Sequence, residues 1–172
     1  MPTTESLKIP LDRLGPLIGL NGAVKKEIES LTGTSLYINS NDGTVVISPT
    51  EDMEDPFAVS KTYEIVKSIG KGFHPEKAIQ LNDDDYYLEI IELEAYSGES
   101  KEELDKQTKR VIGRNGMVIN TISELAEISI KIYGNEISLI GNFDNVMLGK
   151  KAFVMILNGS KHKSVYEFLK TS

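Results

Sequence analysis

Leu17-Ile18-Gly19-Leu20-Asn21-Gly22 and Val111-Ile112-Gly113-Arg114-Asn115-Gly116 are two versions of one hexapeptide, and the fold follows from reading them together. Downstream the match runs on without a gap: Val24 answers to Val118, Ile28 to Ile122, Leu31 to Leu125, Ser35 to Ser129 and Ile38 to Ile132. Apolar, glycine and asparagine matches at one constant offset define an internal repeat, and a repeat sets the architecture before any single element is assigned.

Each copy predicts the same series of elements. In the first, Leu7 and Ile9 sit in a short strand, and Leu11, Leu14 and Leu17 have helical spacing. After the glycine loop, Val24, Ile28 and Leu31 stripe a second helix that stops at Thr32-Gly33. Leu36 and Ile38 alternate with Ser35 and Tyr37, Asn41-Asp42-Gly43 turns the chain, and Val45 and Ile47 begin the return strand. Pro56 opens a closing helix through Phe57, Val59, Tyr63, Val66 and Ile69. The second copy predicts a strand over 86–93, a polar helix over 101–111 and a helix striped by Val118, Ile119, Ile122 and Leu125. Ile130 and Ile132 alternate with Lys131 and Tyr133, Gly134-Asn135 turns, and Ile137 and Leu139 return. A long helix bounded by Asp144 and Gly159 closes the copy, and Val165, Phe168 and Leu169 add a short stripe that should dock on a domain or partner surface.

The order strand, helix, helix, strand, strand, helix gives an α+β fold, two domains each with three helices on one face of a three-stranded antiparallel sheet. The first domain is expected over 1–75 and the second over 86–172, with the acidic, turn-rich stretch 76–85 as linker. A chain of 172 residues, 40% hydrophobic and 26% charged, suits two such domains. No apolar run spans a bilayer, no basic-plus-apolar leader opens the chain, and no cysteine is present; the expectation is a cytoplasmic protein without membrane contact.

A net charge of −7 opposes nucleic-acid binding until its distribution is examined. Asp83, Asp84, Asp85, Glu89, Glu92, Glu94, Glu99, Glu102, Glu103 and Asp105 make the middle acidic, relieved only by Lys101. Beyond it Lys106, Lys109, Arg110, Arg114, Lys131, Lys150, Lys151, Lys161, Lys163 and Lys170 outnumber Glu124, Glu127, Glu136, Asp144 and Glu167. That asymmetry fits a local anion-binding face on an acidic protein, and equally a solvated charged surface.

The glycine loop chooses between them. Glycine lets a ligand approach the backbone closely, and a helix beginning at the second glycine aims its free N–H groups and positive dipole end over the loop. A phosphate is the natural occupant. Loop two carries Arg114 beside Lys109 and Arg110, so it can add charge-assisted bonds; loop one carries Leu20 and Asn21, with no base before Lys25 and Lys26. The second copy should therefore be the main holder.

The two hexapeptides resemble the signature of the type I KH domain, a module whose Gly-x-x-Gly loop clamps single-stranded RNA while bases lie in an apolar groove. The resemblance implies two tandem KH domains. It implies contacts from Ile112, Gly113, Arg114, Asn115, Gly116 and Met117 and a groove lined by Val118, Ile119, Ile122, Ile130 and Ile132. Secondary contacts are implied for Ile18, Gly19, Leu20, Asn21, Gly22, Val24, Lys25 and Lys26, with Ile28, Leu36 and Ile38 at the groove positions of the first copy. Aliphatics at helical spacing are also ordinary core, and many of these should serve as such.

Ile132-Tyr133-Gly134, 137–141 and the tail Asn158-Gly-Ser-Lys-His-Lys-Ser-Val-Tyr-Glu-Phe-Leu169 narrow the resemblance to the partner-of-Nob, or Dim-type, small-subunit ribosome-assembly proteins. That family implies binding near the 3′ end of small-subunit ribosomal RNA, cooperation with the Nob-type endonuclease and, in archaea, contact with the α subunit of translation initiation factor two. Two departures stand out: Met117 to Asn120 carry no base after the second loop, and 96–106 is strongly acidic.

Lys161, His162 and Lys163 are candidate phosphate or tail contacts; His74, beside Pro75, reads as a turn residue. Two isolated histidines and no cysteine make no usual zinc site, and Asp83-Asp84-Asp85 lacks the spaced ligands of a calcium loop, so neither metal nor cofactor is expected. No nucleophile–base pair appears, and the glycine loops lack the Gly-Lys-Ser/Thr ending of a nucleotide-triphosphate loop. An enzyme is not expected. The competing reading is a KH-fold interaction scaffold in translation initiation or RNA degradation, with the acidic strand 86–94 meeting a basic partner.

Overall fold

Strands with one covered face need alternate residues inside. In the computed structural model, which describes residues 3–98 and 100–172, Thr34 and Leu36 point inward and Ser35 and Tyr37 outward. The chain divides into two units, one ending at Asp84 and one beginning at Asp85.

The first unit runs β1 (Glu5–Lys8), a 3₁₀ turn, α1 (Leu14–Ile18), the glycine loop, α2 (Ala23–Thr32), β2 (Thr34–Ile38), β3 (Thr44–Pro49) and α3 (Ala58–Gly70). β3 lies between β1 and β2, antiparallel to both, with Leu7 opposite Val45 and Leu36 opposite Ile47. Leu17, Ile28, Ile47, Ile65, Ile69 and Phe73 fill the space between sheet and helices. A chain of buried hydroxyls joins the layers: Thr32 and Thr62 donate to Ile28 O and Ala58 O, Thr34 donates to Thr32 at 2.7 Å, and its oxygen lies 3.2 Å from that of Thr62.

Three details differ from the sequence reading. α3 starts at Ala58, because Asp55 accepts the Phe57 N–H and holds the Lys61 ammonium, turning the chain first and leaving Phe57 exposed. Leu31 is 48% exposed, since Ile28 and Thr32 take the inward face of α2. Much of the expected linker is folded: α4 (Pro75–Ala78) and a 3₁₀ turn (Ile79–Asn82) pack on α3 and bury Ala78 and Leu81.

The second unit runs β4 (Tyr86–Glu92), α5 (Glu94–Ser97), α6 (Lys101–Ile112), the second loop, α7 (Met117–Ala126), β5 (Ser129–Tyr133), β6 (Glu136–Asn142), α8 (Phe143–Leu157) and α9 (His162–Lys170). Sheet order is β4-β6-β5, again antiparallel. Ser100 caps polar α6, its hydroxyl accepting from the Glu103 N–H at 3.3 Å. α7 ends at Glu127, forced into the left-handed region (φ 55°) at the repeat position where α2 ends on Gly33 (φ 70°). The tail stripe docks on its own unit: Val165 and Leu169 of α9 are buried against α7 and α8, and the Lys151 ammonium lies 5.1 Å from the Phe168 ring centroid.

Candidate nucleic-acid interface

Each loop follows a helix that closes on glycine: the Gly19 N–H donates to Gly15 O (2.8 Å) and the Gly113 N–H to Lys109 O (2.9 Å). Backbone angles then repeat almost residue for residue. Gly19 and Gly113 have φ/ψ of 74°/176° and 77°/172°, Asn21 and Asn115 have 54°/29° and 56°/29°, and Gly22 and Gly116 have 75°/16° and 74°/14°. A β-carbon on Gly19 would sit 2.7 Å from Val24 N, and one on Gly113 2.8 Å from Val118 N, so only glycine permits this turn. Neither α2 nor α7 has a side-chain cap. Their first-turn amides therefore face the loop without a protein side chain on them, a ready seat for an oxyanion.

Residues 87–172 match the family model for the eukaryotic type KH domain (KH-domain type I), in its PNO1 second-domain form, and residues 4–55 match the KH domain. A KH domain-containing protein of Methanocaldococcus jannaschii is 42% identical over 165 residues, covering 96% of this chain and 72% of that protein. The chain belongs to the Dim2p/Pno1 family of two-KH-domain proteins. The crystal structure of Dim2p from Pyrococcus horikoshii is similar with a TM-score of 0.91 and 40% identity, covering 99% of both chains. A second structure of the Pyrococcus horikoshii protein, in complex with a/eIF2α and rRNA, has a TM-score of 0.90 and 40% identity over 98% of this chain and 93% of that one. The pre-rRNA-processing protein pno1 of Schizosaccharomyces pombe is 23% identical, with 99% of this chain and 71% of that protein covered.

Within the second KH domain the residues expected at the interface separate by environment. Arg114, Asn115 and Lys109 are exposed at the loop, and Met117 is 62% exposed beside it. Ile112, Ile119, Ile130 and Ile132 are half-buried. Val118 and Ile122 are core residues, 3% and 0% exposed. In the first KH domain Ile18, Val24, Ile38 and Lys25 are half-buried and Lys26 exposed, while Ile28 and Leu36 belong to the core. Leu20, at 84%, is the most exposed large apolar side chain among the described residues, so the first loop presents an isobutyl group where the second presents a guanidinium.

Two basic candidates are committed elsewhere. Arg110 donates to Ile156 O at 2.7 Å and to Ser160 O at 2.8 Å, tying α6 to the end of α8. A cation at a helix C-terminus is where the dipole favours it, and its guanidinium therefore faces carbonyls rather than the loop. His162 lies 2.9 Å from Arg110 O through Nε2 and stacks on Tyr166. Lys161 and Lys163, its neighbours, are exposed. Lys150 pairs with Glu89 at 2.7 Å.

One feature of the first domain had no counterpart in the sequence reading. Glu29, on α2, accepts the backbone N–H of Leu36 on β2 through Oε2 at 2.8 Å. The signal was present in the repeat alignment, where Glu29 stands opposite Ser123. Several groups of the first domain titrate away from their ordinary values. Asp55 is held below the usual carboxylate range by the Lys61 ammonium, Lys61 is raised by Asp55 and Asp84, and the Thr44 N–H lowers Asp42. Burial raises Glu64. Among the described residues no helix is long and apolar enough to cross a membrane, and no cluster of three or more His, Cys, Asp or Glu could hold a metal ion.

Proposed function

We propose that the chain is a small-subunit ribosome-assembly factor whose second KH domain grips single-stranded ribosomal RNA near its 3′ end, presenting it to a separate Nob-type endonuclease. The observation that carries this is the second loop: an uncapped helix N-terminus, a glycine turn that admits close approach, and Arg114 exposed beside it. A phosphate seated there receives backbone N–H bonds and a charge-assisted bond from Arg114. Bases of the adjoining nucleotides then fall along Ile119, Ile130 and Ile132, which offer apolar surface and the edge of β5. The protein's part is positioning: it fixes the register of a flexible strand so that a partner's chemistry meets one phosphodiester. The pre-rRNA-processing relative and the neighbour that was solved with rRNA and a/eIF2α support this reading, and the latter supports a/eIF2α as a partner of this chain as well.

The test is binding to a single-stranded RNA matching the mature 3′ end of small-subunit ribosomal RNA, at two salt concentrations. Wild type is compared with Leu20→Asp/Asn21→Asp and with Arg114→Asp/Asn115→Asp, which place carboxylates over each loop without touching its glycines. Loss in the second-loop variant alone, with steep weakening by salt, is expected. If wild type binds no such RNA at low salt, the protein is an interaction scaffold instead.

A further inference from the structure

An edge strand offers alternate N–H and C=O groups outward, and in a groove between helix and edge strand those groups are what a base edge can bond. β2 is one edge strand of the first domain and β5 the corresponding edge strand of the second. In the first domain the outward N–H of Leu36 is already taken by the Glu29 carboxylate, reaching across from α2. Glu29 sits seven residues beyond Gly22, about 10 Å along the helix from the loop. In the second domain the same repeat position is Ser123, whose short side chain turns back to donate to Ile128 O. Among the described residues no side chain accepts from the N–H of Ile130, the residue matching Leu36.

We propose that Glu29 is a specificity-determining residue that keeps RNA out of the first KH groove. It removes the donor a base would use and sets a fixed negative charge beside the path of the phosphates, where Ser123 in the second domain leaves both open. The inference rests on the RNA reading above and explains why one chain carries two well-formed glycine loops but one open groove. Leu20 in place of a base weakens the first loop; Glu29 closes the groove behind it. Restoring the loop alone is therefore insufficient.

The test uses the full chain carrying Arg114→Asp/Asn115→Asp to silence the second loop, with a labelled single-stranded RNA of the 3′-end sequence as probe. Leu20→Arg alone is expected to gain little. Leu20→Arg with Glu29→Ser is expected to bind at least about tenfold more tightly than Leu20→Arg, the scale of one hydrogen bond to a charged group. Amide exchange at Leu36 should quicken in the Glu29→Ser chain. Equal affinities of the two chains, or a Leu36 amide indifferent to the substitution, overturns the proposal. Should Glu29→Ser loosen the fold, Leu20→Arg with Glu29→Gln decides: the charge is gone though the cap remains, so a gain of about threefold is expected and none overturns the idea. Binding by the wild-type second loop is scored separately, so a failure of the RNA reading is not confused with a failure at Glu29.

Discussion

Replacing Arg110 by Met separates a structural cation from Arg114, the one proposed to face RNA. Methionine keeps the aliphatic stem packed between α6 and α8 but removes both donors, to Ile156 O and Ser160 O. Ile156 O retains the Gly159 N–H at 3.0 Å, so Ser160 O loses more. Hydrogen bonds from a charged donor contribute roughly 1.5–3 kcal/mol each when buried, and the half-buried guanidinium brings two of them nearer 1 each. Loss of a cation at the end of α8 adds up to about 1 kcal/mol, for a total near 2–3 kcal/mol. In a domain of this size that lowers the unfolding midpoint by about 8–24 °C. Thermal unfolding followed by circular dichroism measures this, and RNA binding by fluorescence anisotropy, well below either midpoint, measures the other arm. Affinity should stay within about twofold of wild type, whereas Arg114→Met should lose about tenfold and melt normally. An Arg110→Met chain that melts like wild type but binds RNA tenfold more weakly would refute the assignment.

Three further outcomes follow from the packing and the charges. Glu127→Gly relieves a left-handed glutamate at the end of α7 and should stabilise the second domain by about 0.5–1 kcal/mol, read as a higher urea midpoint with unchanged slope. Leu169→Ala empties a site that is 5% exposed in the core shared by α7, α8 and α9, and should cost about 2–4 kcal/mol in chemical denaturation. The Asp55–Lys61 pair has opposite pH signs at its two ends. Asp55 has a depressed folded pKa, so its contribution is present above the unfolded value of about 3.9 and lost as pH falls through the folded one. Lys61 is raised, so its contribution is present below about 10.4 and lost as pH climbs past its folded value. The stability of Asp55→Asn should therefore vary less than that of wild type below about pH 4, in urea titrations at fixed temperature.

Much of the architecture was legible because it was written twice. Val24 and Val118, Ile28 and Ile122, and Ile38 and Ile132 carry the same periodicities, and a pattern that recurs in register is hard to mistake for chance. The short helical turns were not legible: α5 and α4 span four residues each, too few for a period to show. The stretch 76–85 looked like a linker because its acids and turn formers hide two buried apolar residues, Ala78 and Leu81. The site was legible as a loop and only partly as a charge distribution. A basic residue reads the same in sequence whether it faces a phosphate, as Arg114 can, or a helix's last carbonyls, as Arg110 does. Glu29 went unread although the repeat set it opposite Ser123, because a carboxylate's partner was a backbone amide on another element.

The docking of α9 also bears on the order in which the chain matures as it is made. The first domain has its whole sheet by Pro49 and its last buried leucine by Leu81, so its core can close while the rest is still being translated. The second needs Val165 and Leu169, and its Arg110 carbonyl waits for His162. Until residue 169 has left the ribosome, α7 has one flank open and the Arg114 loop stands on an unfinished support. The nascent second domain thus completes the support under its glycine loop only after α9 has been released.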